Sequence, residues 1–465
     1  MSYFIFLYLF ATLAIGVVAS RKVKNTKDFI LAGRSLPLSI TTAALFATWF
    51  GSETILGASS QMALEGFPGV IQEPFGAALC LLLLGVFFAT PLYKMNILTF
   101  GDFYRIRYGR IMEVLAGIFL VLSYLGWIAA QMVAMGIILN TIIGMEIQTG
   151  IYLSAGIVVF YTFLGGMWSV SITNFVQMIM IILGLAACLY EMNANRSLSD
   201  LIAESPAGTF NLLPPSGIVP SLNYLSAWMV LGLGSIPQQD LFQRVMAAKS
   251  AKIAVLASLI AAFLYLTVAM MPLFLALYAK ELLPHILDSN PQMLIPYLVK
   301  GYTSPIVQIC FFGAMTSAIL STASGAILAP SSILSENLFK YILPKKDWAE
   351  KRLLLLSRIA VLITATIGLL IAMGRQDIYE LVEESSAISL VSLFTPLAFG
   401  LFSSKCTQVH AVLSLILGST VWLIAIYLAT SVNPILYGLV ASTTPMLAGF
   451  IFPDQTESTK KKHLS

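Results

Sequence analysis

Apolar runs of helix-spanning length, separated by short polar segments, repeat along almost the whole chain. A helix of ~20 apolar residues crosses the hydrocarbon core, so the pattern predicts about 13 spans. They fall near 2–19, 37–62, 69–92, 112–142, 149–166, 170–190, 223–244, 252–278, 303–338, 353–373, 379–402, 408–430 and 433–452. The two longest, 112–142 and 303–338, tilt or reach beyond the bilayer. The run at 2–19 has no basic segment before it, so it reads as a retained span and not as a cleaved signal.

Composition agrees with this pattern. The 465 residues are 58% hydrophobic and 10% charged, whereas a soluble domain carries roughly 25% charged residues to face water. Lipid is therefore the chain's main surroundings. The cysteines (Cys80, Cys188, Cys310, Cys406) and histidines (His285, His410, His463) are dispersed, which argues against a metal centre and for reduced, packed thiols.

Charge sets the expected direction. With the N-terminus outside, all of the 26 Lys and Arg except Arg196, Lys280, Lys300 and Arg375 fall on the inner side, as positive-inside insertion requires. These loops account for the net charge of +4, and no nucleic-acid partner is implied. Arg244 and Arg358 lie near inner span ends, where snorkelling is the expected role. The chain reads as one membrane domain over 1–465: a leading helix at 2–19, a first repeat at 37–190, a second at 223–402 and extra helices at 408–452. The longest loop, 191–222, with Pro206, Pro214, Pro215 and Pro220, reads as an ordinary irregular outer loop, capping an external mouth being the other option. The polar tail after Pro453 is expected to be disordered.

Two spans are interrupted. The first repeat opens with Ala47-Thr48-Trp49-Phe50-Gly51-Ser52-Glu53-Thr54, and five spans later comes Leu233-Gly234-Ser235-Ile236-Pro237-Gln238-Gln239-Asp240. Backbone groups freed by such breaks need partners, and at mid-membrane these are ions or solute. Matching breaks in oppositely directed spans point to an inverted five-plus-five repeat. Small residues alone would signal only close packing. Residues 316–332 add a hydroxyl-rich stretch, Thr-Ser-Ala-Ile-Leu-Ser-Thr-Ala-Ser-Gly-Ala-Ile-Leu-Ala-Pro-Ser-Ser. Its neutral oxygens suit sodium, although such hydroxyls often bond their own helix.

Carboxylates inside a span are costly and so are functional candidates. Glu53, Glu73 and Asp240 qualify; Glu380, Glu383 and Glu384 begin the span at 379, with Glu383 the one nearest a cavity role and outer water the alternative for all three. A channel would need a continuous polar file, a sensor an attached signalling domain, and an enzyme a nucleophile–base or metal constellation. The pattern offers none of these, and a transporter fits best.

At these residues the chain resembles the sodium:solute symporter family over essentially its whole length. The match is carried by Thr26-Lys27-Asp28-Phe29-Ile30-Leu31-Ala32-Gly33-Arg34-Ser35, by Gly165-Gly166-Met167-Trp168-Ser169-Val170, by Gln238-Gln239-Asp240-Leu241-Phe242-Gln243-Arg244-Val245-Met246-Ala247-Ala248-Lys249-Ser250, and by the hydroxyl stretch. The resemblance implies an all-α, leucine-transporter-like fold and a co-transported sodium ion, with no organic cofactor. It implies sodium ligation by Ala47, Phe50 and Ala318 carbonyls with Ser321 and Thr322 hydroxyls. It also implies a solute cavity touching Trp49, Ser52, Glu53, Glu73, Trp127, Gln238, Gln239 and Phe242; the carboxylate reading adds Glu383 to that lining. Ala47-Thr48-Trp49, Gly126-Trp127-Ile128-Ala129-Ala130 and Gly234-Ser235-Ile236-Pro237 look like the high-affinity choline transporter branch. Trp49 and Trp127 match two positions of an aromatic cage, each face worth ~0.5–2 kcal/mol to a quaternary ammonium; packing between helices is their other role. Ala77 and Gln238 stand where further aromatics are expected, so a hydrogen-bonding amine, a polyol, a sugar or an amino acid such as proline also suits the site. Asn174 replaces an Asp common in the family, which implies one sodium per cycle or altered ion release. The expected partners are a small-molecule solute and membrane lipid, in a plasma-membrane monomer with its C-terminus inside.

Overall fold

The computed structural model describes residues 31–164, 167–339 and 350–452, with only Ala14 and Val18 before them. The leading span at 2–19, the first part of the 26–35 motif, Gly165-Gly166, the loop at 340–349 and the tail lie outside the described residues. Among the described residues the chain is helical throughout, with a single isolated bridge between Leu36 and Ala248. In order, the helices are α1 (Leu38–Phe46), α2 (Ser59–Glu65), α3 (Ala77–Leu83), α4 (Ala89–Met95), α5 (Phe100–Tyr108), α6 (Arg110–Ile143), α7 (Ile147–Leu164), α8 (Met167–Asn195), α9 (Leu198–Glu204) and α10 (Ile218–Gly234). There follow α11 (Gln239–Ala247), α12 (Ala251–Leu282), α13 (Pro284–Leu287), α14 (Leu294–Tyr302), α15 (Pro305–Ile333), α16 (Glu350–Gly374), α17 (Ile378–Ser389), α18 (Thr395–Phe402), α19 (Gln408–Tyr427) and α20 (Pro434–Ile451).

Among the described residues, nine helices are long and apolar enough to cross a membrane. Three further apolar runs, Leu38–Glu65, Ile147–Leu164 and Ile218–Ala247, are present as broken or shorter helices. Every predicted span from 37 onward thus has a helical counterpart. Local chemistry sets the ends. The Thr99 hydroxyl accepts from Asp102 N at 3.1 Å while the Asp102 carboxylate accepts from Thr99 N at 3.2 Å, a reciprocal cap that starts α5. Gly144 at φ +72° ends α6 with its N–H on Asn140 O, a left-handed terminus that glycine adopts without a Cβ penalty.

Helices too short to span were missed by the search for long apolar runs. The amphipathic α14 buries Leu294, Ile295, Leu298 and Val299 against the bundle, and α9 lies within the proline-containing loop. That loop does not hang free. Thr209 O accepts from Phe67 N at 2.7 Å and Phe210 meets Phe67 edge to face at 5.3 Å, fastening it over the far end of the first broken span.

The span expected at 69–92 is also interrupted, which hydropathy alone does not reveal. Glu73 takes an extended conformation (φ −139°, ψ 111°) inside a π-helical turn, Ile71–Gly76, before α3 begins. Pro74 explains this: proline lacks an N–H and disfavours helical geometry in the residue before it. Close glycine contacts hold α17 in place. A Cβ on Gly126 of α6 would lie 2.7 Å from Leu381 O, and one on Gly234 of α10 would lie 2.4 Å from Ser386 O.

Candidate functional site

The first break runs from Ala47, where α1 stops, through a turn to Ser52, and continues as a π-helical turn, Glu53–Ala58. The second spans Ser235–Gln238 between α10 and α11 and contains Pro237. Both fall where the sequence placed them. The sequence residues assigned to sodium surround the first break. Ala47, Phe50, Ala318, Ser321 and Thr322 are all at most 5% exposed. A Cβ built on Gly51 would sit 3.9 Å from Thr322 Oγ1, so the broken span lies directly against the hydroxyl face of α15.

From α8, Asn174 and Gln177 grip the same face. Asn174 Oδ1 accepts from Ser321 Oγ at 2.6 Å, while Gln177 Nε2 donates to Ser317 O at 3.2 Å and to Ser317 Oγ at 2.6 Å. Because Ser321 gives its proton to Asn174, its oxygen lone pairs remain for a cation. Other hydroxyls of α15 bond their own helix: Thr316 donates to Phe312 O at 2.6 Å and Ser331 to Ile327 O at 2.6 Å. The stretch is therefore divided between helix-internal and outward-bonding hydroxyls.

Most residues expected at the solute cavity are buried as well. Trp49, Ser52, Glu53, Glu73, Trp127 and Gln238 are buried to 2% exposure or less. Glu53 Oε2 accepts from Ser52 Oγ at 3.0 Å and from Gln131 Nε2 at 3.3 Å. Glu73 Oε1 accepts from Thr54 Oγ1 at 2.7 Å and from the Tyr265 hydroxyl, and those two hydroxyls touch at 2.7 Å. Thr54, Gln131 and Tyr265 were not singled out in the sequence. A polar residue at mid-span was the available signal for Gln131 and Tyr265, but span searches average it away.

Two expected cavity residues have other partners. The Gln239 amide is taken up by the backbone, its Oε1 accepting from Phe100 N at 2.8 Å and its Nε2 donating to Leu98 O at 3.4 Å. Phe242 packs on Phe100 with ring centroids 4.6 Å apart and planes tilted by 41°. Both side chains bind α11 to the start of α5. Glu383 is half-buried and accepts from Gln72 Nε2 at 3.1 Å, while Glu380 and Glu384 are exposed and pair with Arg375.

Arg244 corrects the snorkelling expectation. It is 3% exposed, donates to Asp240 O at 3.0 Å and Oδ2 at 3.3 Å, and lies 3.5 Å from a Cβ on Gly325. Tyr124 completes this cluster by donating to Asp240 Oδ1 at 2.5 Å and accepting from Asp240 N at 2.9 Å. Arg358, by contrast, is exposed. A further buried group links Thr99, Asn337 and Glu113: Thr99 Oγ1 donates to Asn337 Oδ1 at 2.9 Å and Asn337 Nδ2 to Glu113 Oε1 at 2.8 Å.

The family model for sodium:solute symporters matches residues 29–418. The chain belongs to the sodium:solute symporter family. It is 28% identical to high-affinity choline transporter 1 of Drosophila melanogaster, over 98% of this chain and 74% of that one. The human high-affinity choline transporter 1 is 27% identical over 89% and 74% of the two chains. The high-affinity proline transporter PutP of Bacillus subtilis is 26% identical over 95% and 94%. In structure, the chain is similar to a sodium-coupled sialic acid symporter solved substrate-bound and outward-open, with TM-score 0.82, 18% identity and coverage of 97% and 98%. A hydantoin-bound nucleobase-cation-symport-1 transporter follows at TM-score 0.64, 16% identity and coverage of 92% and 95%. The fold is therefore the leucine-transporter-like fold of these proteins, with broken first and sixth core helices. This family member is a multi-pass membrane transporter for a small-molecule solute, not an enzyme.

Proposed function

We propose that this symporter-family member couples sodium entry to import of a small polar organic solute, with a choline-like amine the favoured class, by alternating access. The observation that carries the reading is the contact of Gly51, at the first break, with Thr322 on the hydroxyl face of α15. Sodium binds between them through the carbonyls of Ala47, Phe50 and Ala318 and the hydroxyls of Ser321 and Thr322. Neutral oxygens suit it because a hard monovalent cation needs several oxygen contacts but little negative charge.

Bound sodium ties the first break to α15 and orders the adjacent solute cluster at Trp49, Ser52, Glu53, Glu73, Trp127 and Gln238. Solute then permits closure on the outer side and opening on the inner side, where low sodium favours release. One sodium ion moving through ~100 mV supplies ~2.3 kcal/mol before any concentration gradient is counted. Asn174 is neutral, which supports a single sodium per cycle. The N-terminus lies outside and the C-terminus inside the plasma membrane, and the monomer, surrounded by lipid and without nucleic acid or organic cofactor, is the functional unit.

Amino-acid transport, of proline for example, is the second reading. It is favoured by a proline transporter that matches this chain over 94% of its own length. Reconstitution into proteoliposomes decides between the two. Uptake of a labelled choline-like amine, choline or ethanolamine, driven by an inward sodium gradient and abolished when potassium replaces sodium, is the expected outcome. Sodium-driven proline uptake without uptake of either amine selects the second reading. Equal uptake in both salts overturns sodium coupling.

A further inference from the structure

At the first break and the Glu73 break, three buried side chains each keep one oxygen without a hydrogen-bond partner: Glu53 Oε1, Glu73 Oε2 and Gln131 Oε1. Their other polar atoms are engaged, Glu53 with Ser52 and Gln131, and Glu73 with Thr54 and Tyr265. Thr54, next to Glu53 in the chain, bonds Glu73 and so links the two breaks. All three residues are at most 1% exposed. Among the described residues neither carboxylate forms an ion pair with Lys or Arg.

All three free atoms are acceptors, as is Gln238 Oε1, while the Trp127 indole N–H is a free donor. Leaving a buried acceptor unmatched is costly, and an unpaired buried carboxylate is costlier still. With its carboxylates ionised, the cluster is completed by a group that brings hydrogen-bond donors and positive charge. A quaternary ammonium brings charge but no N–H; it is recognised through aromatic faces. Here Trp49 and Trp127 are the tryptophans beside the cluster, while the buried Ala77 and Gln238 add no ring.

We propose that, granted the symporter reading above, the site selects an organic cation carrying several N–H donors, of the primary amine, diamine or guanidinium class, over its fully methylated counterpart. The N–H groups face Glu53, Glu73 and Gln131, and the tryptophans cover the carbon chain. The choline-like preference is thereby narrowed to the less methylated end of the amine series.

The test is a methylation series on the purified full-length protein in saturating sodium, read by thermal stabilisation and titration calorimetry. The probes are ethanolamine, its monomethyl and dimethyl derivatives and choline, with a butane diamine, its guanidino analogue, proline and a neutral polyol alongside. Affinity is expected to fall roughly tenfold with each N–H replaced, the factor for one charge-assisted hydrogen bond. Glu53→Gln and Glu73→Gln are each expected to weaken the amines by about tenfold or more. Should either variant fail to fold, the series on the native protein decides alone.

Tightest binding of choline overturns this inference while leaving sodium-coupled transport intact, as does sodium-dependent binding of proline or polyol without any amine. Stabilisation by sodium alone that Glu73→Gln removes, with no amine adding to it, makes the cluster an inorganic cation site and also overturns it. A protein that responds to none of the solutes in sodium overturns both readings.

Discussion

Thr322 and Ser321 differ in what surrounds them, and this separates their expected effects. Ser321 Oγ is held by Asn174, so Ser321→Ala disturbs α8 as well as the cation. Thr322 faces the first break at Gly51, which makes Thr322→Ala the cleaner probe. It is expected to raise half-saturating sodium about tenfold, the worth of one lost ligand contact, in sodium-dependent uptake. Unchanged sodium activation removes the cation-site assignment. Asn174→Asp places a carboxylate beside Ser321 and is expected to lower the sodium requirement or raise the Hill coefficient of uptake. Trp49→Ala is expected to weaken solute affinity while leaving sodium binding in place; wild-type affinity would return Trp49 to a packing role. Most of these residues were legible as types in a motif. Gln131, Tyr265 and Tyr124 were not, because a single polar residue inside a long apolar run becomes informative only when a second element brings its partner.

Among the elements, α11 carries the clearest departure from expectation. In it Arg244 was expected to snorkel, and Gln239 and Phe242 to touch the solute cavity. Arg244 is instead buried with Asp240 beneath Tyr124 of α6, and Gln239 and Phe242 also hold the start of α5. These contacts fasten one end of the bundle, while Gln72 with Glu383, and Tyr379 donating to Gly69 O at 2.8 Å, join α17 to the Glu73 break. Removing one member of a buried ion pair costs about 3–5 kcal/mol, because the other charge is left uncompensated. Arg244→Met is therefore expected to lower thermal stability sharply, and Arg244→Met with Asp240→Leu to recover most of the loss. An equal loss in both variants would show that Arg244 stabilises through packing on α15 rather than through charge. The breaks themselves repeat this lesson. Those at Gly51 and Pro237 were visible as Gly-Ser and proline interruptions, whereas the one at Glu73 was visible only as Pro74 in an otherwise apolar span. Both carboxylates of the solute cluster lie in π-helical turns, a feature frequent at functional sites because it widens the helix locally.

On the scale of the whole molecule, loop contacts sort into two sets that follow the charge-derived direction. Arg34 joins Asn96 and the Tyr93 carbonyl, Leu36 pairs with Ala247 and Lys249, and Arg107 caps Gly400, Ser403 and Cys406 carbonyls. On the other set, Arg196 pairs with Glu204 and Glu281, and Lys280 donates to Ala63 O. The orientation is checked by thiol labelling in whole cells: Ser205→Cys is expected to react with an impermeant maleimide and Ser403→Cys only after permeabilisation. The reverse pattern inverts the topology. Hydropathy by itself determined the extent of the spans from 37 onward, and local composition the two Gly-Ser breaks, because each depends on local free energy of transfer or local backbone freedom; charge set only the expected direction. The motif resemblance added the family. Only the tertiary structure decided which polar side chains meet: that Thr322 faces Gly51, that Gln239 serves the backbone of α5, that Arg244 is buried, and that Glu53, Glu73 and Gln131 share a cluster with free acceptors. Those pairings join residues far apart in the chain, and a span's own pattern records how much of it is polar but not which neighbour satisfies it.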